Sequence, residues 1–233
     1  MPKRQADEFR PVAVGSTILR AWLKILQLLP EVPARQFGGR AGVSVAAAIG
    51  DWLAHRGPCG AELDLAKAFD NVAWDAADAA LAHAGVAPSV ILFLRQVWSG
   101  PRFCSLLGTL SSPLHPVRGI PQGDPTSPCI LAQVLRPWHA LMERERPEVA
   151  NWAIIEDRSL RAADGASLRR AVDATTGFDA AVGLRENLKK RQLWSAGHYY
   201  GPQPVACRTA GSLGGVCDLL TLLGRPPRPR SGR

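Results

Sequence analysis

The sequence predicts an α+β fold, and three stretches carry that expectation. The run Cys59 to Leu65 is short and mostly apolar, as a buried strand is. A helical pattern follows it, with Ala77, Ala80, Leu81 and Ala84 on one face. Downstream, Trp152-Ala153-Ile154-Ile155, the acidic pair Glu156-Asp157 and Arg158-Ser159-Leu160 read as a β-hairpin with carboxylates at its tip. Between these, Ser127 and Pro128 start a helix, a cap followed by Pro in the first turn. Its apolar stripe is Ile130, Leu131, Val134, Leu135, Trp138 and Leu141. With 233 residues the chain suffices for one large or two small domains with a real core.

The remaining elements follow in chain order. Arg10-Pro11 reads as extended, because the residue before proline avoids the helical region. Ser16 then caps a helix whose face carries Ile18, Leu19, Trp22, Ile25, Leu26 and Leu29. The stretch Gln36-Phe37-Gly38-Gly39-Arg40-Ala41-Gly42 leads into a helix from about Val43 to His55. After the Cys59 strand, Asp70 or Asn71 is the expected cap of the next helix. Another helix follows Pro88 and carries Val90, Leu94, Val97 and Trp98. Phe103 to Leu107 and Leu114 to Val117 flank a turn-rich stretch and read as a hairpin. Ala163 to Gly183 reads as a helix, and the Pro/Arg-rich tail 225–233 as disordered.

Composition narrows the partners. The formal net charge is +8 and the sequence pI about 9.8, which favours an anionic partner, nucleic acid first. Hydrophobic residues make up 46%, which argues for a folded domain over a disordered one. The five cysteines (Cys59, Cys104, Cys129, Cys207, Cys217) are odd in number and show no C-x-x-C spacing. They read as reduced thiols of an intracellular protein. The five histidines show no zinc-ligand spacing. No signal peptide opens the chain, and no apolar run reaches the roughly 18–20 residues of a membrane span, so no membrane partner is expected.

The acids carry the chemistry. A carboxylate at the end of a buried strand, here Asp64, is costly unless something cationic meets it. A second acidic site, Glu156-Asp157, recurs at the hairpin tip. Two such sites can converge on Mg²⁺, which takes oxygen ligands, usually one or two carboxylates with substrate phosphates and waters. Between them Arg118-Gly119-Ile120-Pro121-Gln122-Gly123-Asp124-Pro125 forms a constrained loop whose glycines let backbone approach a flat or charged ligand.

These motifs resemble those of reverse transcriptases. Leu63-Asp64-Leu65-Ala66-Lys67-Ala68-Phe69-Asp70 resembles motif A, and Gly119-Ile120-Pro121-Gln122-Gly123 through Ser127-Pro128 resembles motif B. Ile154-Ile155-Glu156-Asp157 stands where the Tyr-x-Asp-Asp of motif C belongs, and the order A, B, C is kept. Asn187 with Lys190 resembles motif D, and Leu219 to Gly224 resembles motif E. The segments around Arg10 and Gln36 resemble the first and second fingers motifs. The non-LTR retrotransposon and group II intron branch is the most similar. The resemblance implies a fingers-like segment over 1–58 and a palm with motifs A to E over 59–224. That palm is a small antiparallel sheet packed on helices.

By this resemblance, a primer 3′-OH attacks the α-phosphate of a dNTP on an RNA template. Two Mg²⁺ ions, replaceable by Mn²⁺, are held by Asp64, Glu156, Asp157 and the Leu65 carbonyl. Lys190 lies near the phosphates and can protonate pyrophosphate. Arg10, with Lys3 or Arg4, meets the triphosphate. Phe69 presses on the sugar's 2′ position, Gln122 lines the nucleotide site and Gly123 leaves room for the paired base. Three features depart from the family. Glu156 replaces the first Asp of motif C, Ile154 its aromatic, and Gly42-Val43-Ser44-Val45 lacks a fingers cation. The chain ends at motif E without a thumb, as a piece of a longer element or a truncated reading frame would. Two readings stand: a weak polymerase, or a catalytically dead remnant that at most binds nucleic acid. The first would place the chain inside the cell, with the nucleus a plausible site.

Overall fold

A computed structural model describes residues 33–38, 44–55, 57–106, 109–195 and 198–200. The expectations for Lys3, Arg4, Arg10, the Ser16 helix, Arg40, motif E and the tail lie outside these residues. The first half of the described chain runs α1 (Val45–Ala54), β1 (Cys59–Leu63), α2 (Ala68–Asn71), α3 (Trp74–His83), α4 (Pro88–Ser99), β2 (Ser105–Leu106) and β3 (Thr109–Leu110). The second half runs α5 (Ser127–Glu145), β4 (Ala150–Ile154), β5 (Asp157–Ala162), α6 (Gly165–Ala181), β6 (Gln192–Ser195) and β7 (His198–Tyr200). The fold is α+β, with a five-stranded antiparallel sheet in the order β4-β5-β1-β6-β7.

The sheet has two unlike faces because side chains alternate along a strand. Cys59, Ala61 and Leu63 of β1, Leu160 and Ala162 of β5 and Leu193 of β6 are buried in one core. Trp138 and Met142 of α5 and Leu168, Ala171 and Val172 of α6 fill it from the other side. A second core joins α3, α4 and the first half of α5 around Leu81, Leu94, Trp98, Ile130 and Leu135. On the face of β5 that it shares with Leu160 and Ala162 of the first core, Arg158 is buried at 0% exposure, with both guanidinium ends donating to the Asp179 carboxylate at 2.7 Å. The opposite face carries Glu62, Ser159 and Trp152, and α1 covers part of it with Ala48, Ile49 and Trp52.

Several boundaries moved for local reasons. Thr126, not Ser127, is the cap residue of α5, and the Ser127 hydroxyl donates to the Pro121 carbonyl at 2.8 Å instead. The capping oxygen there is Asp124 Oδ1, which accepts from Thr126 N at 2.7 Å. Asp70 and Asn71 do not cap the next helix. They sit inside α2, where Asn71 donates to the Ala66 carbonyl at 2.8 Å, and α3 starts later, at Trp74. The hairpin predicted over 103–117 shrinks to β2 and β3, with a single bridge from Arg102 to Leu114 beyond them. Ser44 and Asp164 cap α1 and α6 through their side chains, accepting from Ala47 N and Ser167 N.

Candidate active site

Antiparallel register builds the acidic pair. The β1–β5 ladder ends with Leu63 opposite Arg158, so the next step sets Asp64 across from Asp157. The β4–β5 turn is two residues, Ile155 and Glu156, and Asp157 already pairs with Ile154 in the ladder. Ile155 has φ +56°, a conformation that a β-branched residue seldom adopts. The tip is therefore Ile155-Glu156 rather than Glu156-Asp157, and this shift carries Asp157 back onto the sheet beside Asp64.

The chain after α6 supplies the cation. Asn187 N donates to the Asp64 carbonyl at 2.7 Å and Ala66 N to the Arg185 carbonyl at 2.8 Å. This short bridge holds Leu65 opposite Glu186. Lys190 then reaches back, with its ammonium 3.3 Å from Asp64 Oδ1 and 3.2 Å from Oδ2. Asp64 Oδ2 is buried and meets Lys190 as an ion pair without hydrogen-bond geometry. Burial, then the charges of Glu156 and Asp64, push the Asp157 carboxyl up to about 6, while Lys190 pulls it down. The two carboxyls stand within hydrogen-bonding reach, so a proton retained on Asp157 is shared with Asp64.

Glu156 acts on Asp157 through its charge, but among the described residues no three His, Cys, Asp or Glu side chains assemble into a metal-holding group. The carboxylates that come together are Asp64 and Asp157. Their hard oxygens, with a buried Oδ2 that Lys190 meets as an ion pair but no hydrogen bond satisfies, fit a divalent cation of the Mg²⁺ type, which needs only one or two carboxylates.

Motif A and motif B dock on each other beside the pair. Gly119 N donates to the Val72 carbonyl at 2.9 Å and Ile120 N to the Phe69 carbonyl at 2.8 Å. Trp74 Nε1 donates to the Gly119 carbonyl at 2.8 Å. Gly119 has φ +87°, and a Cβ there would lie 2.7 Å from the Asp70 carbonyl oxygen. Gly119→Ala is therefore expected to destabilise the fold by about 1–3 kcal/mol, read as a lower urea midpoint. Phe69 is half-buried against the α3–α5 core, Leu65 is buried, Gln122 is half-buried and Gly123 is exposed with φ +94°.

Sequence reasoning missed Glu62. It lies two residues before Asp64 on the same face, in a cavity of roughly 210 Å³ lined by Trp52, Trp152, Asp157 and Ser159. Ser159 donates to its carboxylate at 2.7 Å, yet burial pushes the Glu62 carboxyl up from 4.5 to about 7. The folded state thus keeps a proton that the unfolded chain has released, and stability falls as pH rises from about 4.5 to 7. Glu62→Gln is expected to match the parent near pH 4 and to exceed it at pH 8 by on the order of 2 kcal/mol, partial solvent screening allowed for. Urea unfolding at the two pH values checks this. The available signal was the alternation Gly60, Glu62, Asp64, which places all three on one face of β1.

The chain was compared with known proteins. No curated protein matches it. Two solved structures of telomerase from Candida tropicalis are similar in fold. The apo form truncated from the C-terminal domain has a TM-score of 0.54 at 11% identity, over 76% of this chain and 39% of that one. The form in complex with the TWJ fragment of telomeric RNA has a TM-score of 0.55 at 11% identity, over 76% of this chain and 32% of that one. The chain thus spans 32% to 39% of the length of these structures. The family model for reverse transcriptase (RNA-dependent DNA polymerase) matches residues 1–205, and the chain belongs to that family.

Proposed function

We propose that the chain carries out RNA-templated DNA synthesis, adding dNTPs to a primer 3′-OH with release of pyrophosphate. The observation that carries this reading is the Asp64–Asp157 pair, set across two neighbouring strands with Lys190 beside it. Asp64 and Asp157 would hold Mg²⁺ or Mn²⁺. When bound, such a cation lowers the pKa of a hydroxyl nucleophile and offsets charge on the transferring phosphoryl group. Glu156, on the turn, tunes the charge of the pair rather than completing it.

The chain's own groups do the rest. Lys190 neutralises Asp64 in the free protein and is half exposed, so it can turn to a phosphate and donate a proton to the departing pyrophosphate oxygen. Phe69 holds the motif A turn against motif B and would limit space at the sugar's 2′ position. Gln122 and Gly123, on the docked loop, would border the base pair. Arg10 would meet the triphosphate. The spelling of motif A supports the non-LTR retrotransposon and group II intron branch as the chain's origin.

A second reading, a remnant that binds nucleic acid without catalysis, draws on the failure of Glu156 to join the two aspartates. Primer extension on an RNA template, in Mg²⁺ and then Mn²⁺, separates the two. Extension that disappears in Asp64→Asn supports the polymerase. A folded chain that binds primer–template and extends nothing in either metal overturns it in favour of the remnant.

A further inference from the structure

The geometry points to Gln36 and Gly38 as positioning residues that clamp the Ile155-Glu156 turn and so hold Asp157 against Asp64. This inference rests on the polymerase reading of that pair. The segment 35–37 adds to the free edge of β4 as a short parallel strand: Phe37 N donates to the Ala153 carbonyl at 2.8 Å and Ala153 N to the Arg35 carbonyl at 3.0 Å. Gln36 is fully buried within it. Its side-chain amide donates to the carbonyls of Gly38 and Ile155, each at 3.4 Å. Gln36 therefore spans from the added strand to the residue with the strained backbone.

Gly38 closes the clamp from the other side. A Cβ at Gly38 would lie 2.2 Å from Ile155 Cγ1 and 2.3 Å from Ile155 N. Only glycine allows this approach without moving the turn. A β-branched residue at φ +56° persists only where its surroundings over-determine it, and Gln36 and Gly38 are those surroundings.

A buried polar chain orients Gln36 in turn. His139 Nε2 lies 3.2 Å from Gln36 Oε1, and His139 Nδ1 lies 2.8 Å from Asn151 Oδ1. Burial pulls His139 down to about 4, so the ring is neutral and has one N–H. Placing that proton on Nε2 directs it to the Gln36 oxygen and leaves the Gln36 NH₂ for the two carbonyls. Nδ1, which faces Asn151 Oδ1, then accepts from Asn151 once the O and N of that amide are exchanged, a swap that keeps its shape. His139 stands on α5 and Asn151 on β4, so the turn is referenced to the helix layer beneath the sheet.

The clamp is tested by Mn²⁺ affinity, measured by electron paramagnetic resonance, together with amide hydrogen exchange at Glu156 and Asp157. Parent, Asp64→Asn, Gln36→Leu, Gly38→Ala and Gly38→Ala/Ile155→Gly chains are compared. Gln36→Leu and Gly38→Ala are expected to weaken Mn²⁺ binding about tenfold and to speed exchange at the turn. Gly38→Ala deletes no hydrogen-bonding group, so it reports even if Gln36→Leu fails to fold. Ile155→Gly removes the Cγ1 contact and tolerates positive φ but leaves the 2.3 Å approach to the residue-155 backbone N, so the double variant is expected to recover part of the affinity. A merely structural role for Gly38 would not produce that rescue. If Asp64→Asn loses Mn²⁺ while Gly38→Ala retains parent affinity, the clamp is overturned and the polymerase reading stands. If Asp64→Asn binds Mn²⁺ like the parent, the polymerase reading falls. Unchanged exchange at the turn in Gly38→Ala then overturns the clamp as well.

Discussion

Asp64→Asn is expected to lower primer extension by on the order of 10³-fold while leaving the chain folded. Loss of an anionic cation ligand removes several kcal/mol of charge stabilisation, and each 1.36 kcal/mol is a factor of ten in rate. The fold should tolerate the change. Asn is nearly isosteric, and the Asp64 backbone carbonyl keeps its bond to Asn187 N. Two further effects mark the substitution as electrostatic. Asp157 loses a like charge that holds its carboxyl up, so its titration moves toward the ordinary carboxylate range. Lys190 loses its partner carboxylate, so its side chain should become more mobile. Gel-resolved extension checks the rate, carboxyl-carbon NMR titration checks Asp157, and side-chain relaxation of Lys190 checks its mobility. Full extension by Asp64→Asn would remove Asp64 from the mechanism.

Asp179→Ala is expected to cost about 3–5 kcal/mol of stability, the largest loss of any single substitution considered. Arg158 and Asp179 are 0% and 4% exposed, and both guanidinium ends are committed to the carboxylate. Removing Asp179 leaves a buried cation without its anion, which costs far more than the pair itself contributes. A domain stable by 5–15 kcal/mol overall would be near its limit. Arg158→Met with Asp179→Leu removes both charges together and is expected to recover most of the loss. The site is linked to this pair because Arg158 directly follows Asp157 in β5. The single variant should therefore lose activity at temperatures where it is still folded. Urea unfolding by circular dichroism, with extension assays at 15 and 30 °C (about those values suffice), checks both statements.

The amphipathic helices were legible because their signal is local. The stripes of α4 and α5 follow a 3.6-residue period, whereas the Ser44 and Asp164 caps, which set the starts of α1 and α6, emerged only with the structure. The hairpin over 150–162 was legible for the same reason, through an apolar run, an acidic turn and a second run. β6 was not. Gln192-Leu193-Trp194-Ser195 is short and borders a basic turn, and its strand character comes from pairing with β1, far away in sequence. Gly60 shows the same dependence, since a Cβ there would meet the Trp194 ring at 2.0 Å.

By itself the sequence determined which residues are available for chemistry: a carboxylate ending a strand, an acidic hairpin, a glycine-proline loop and a basic turn in a fixed order. Tertiary structure alone decided how they combine. Antiparallel register placed Asp64 opposite Asp157, and the left-handed Ile155 moved the tip by one residue, leaving Glu156 outside the pair. Burial on the covered face of the sheet made Glu62 a proton carrier, and a free strand edge recruited Gln36. The physical reason is common to all four. Caps, turns and periodicity act over a few residues, whereas register, burial and charge coupling depend on what the rest of the chain brings alongside.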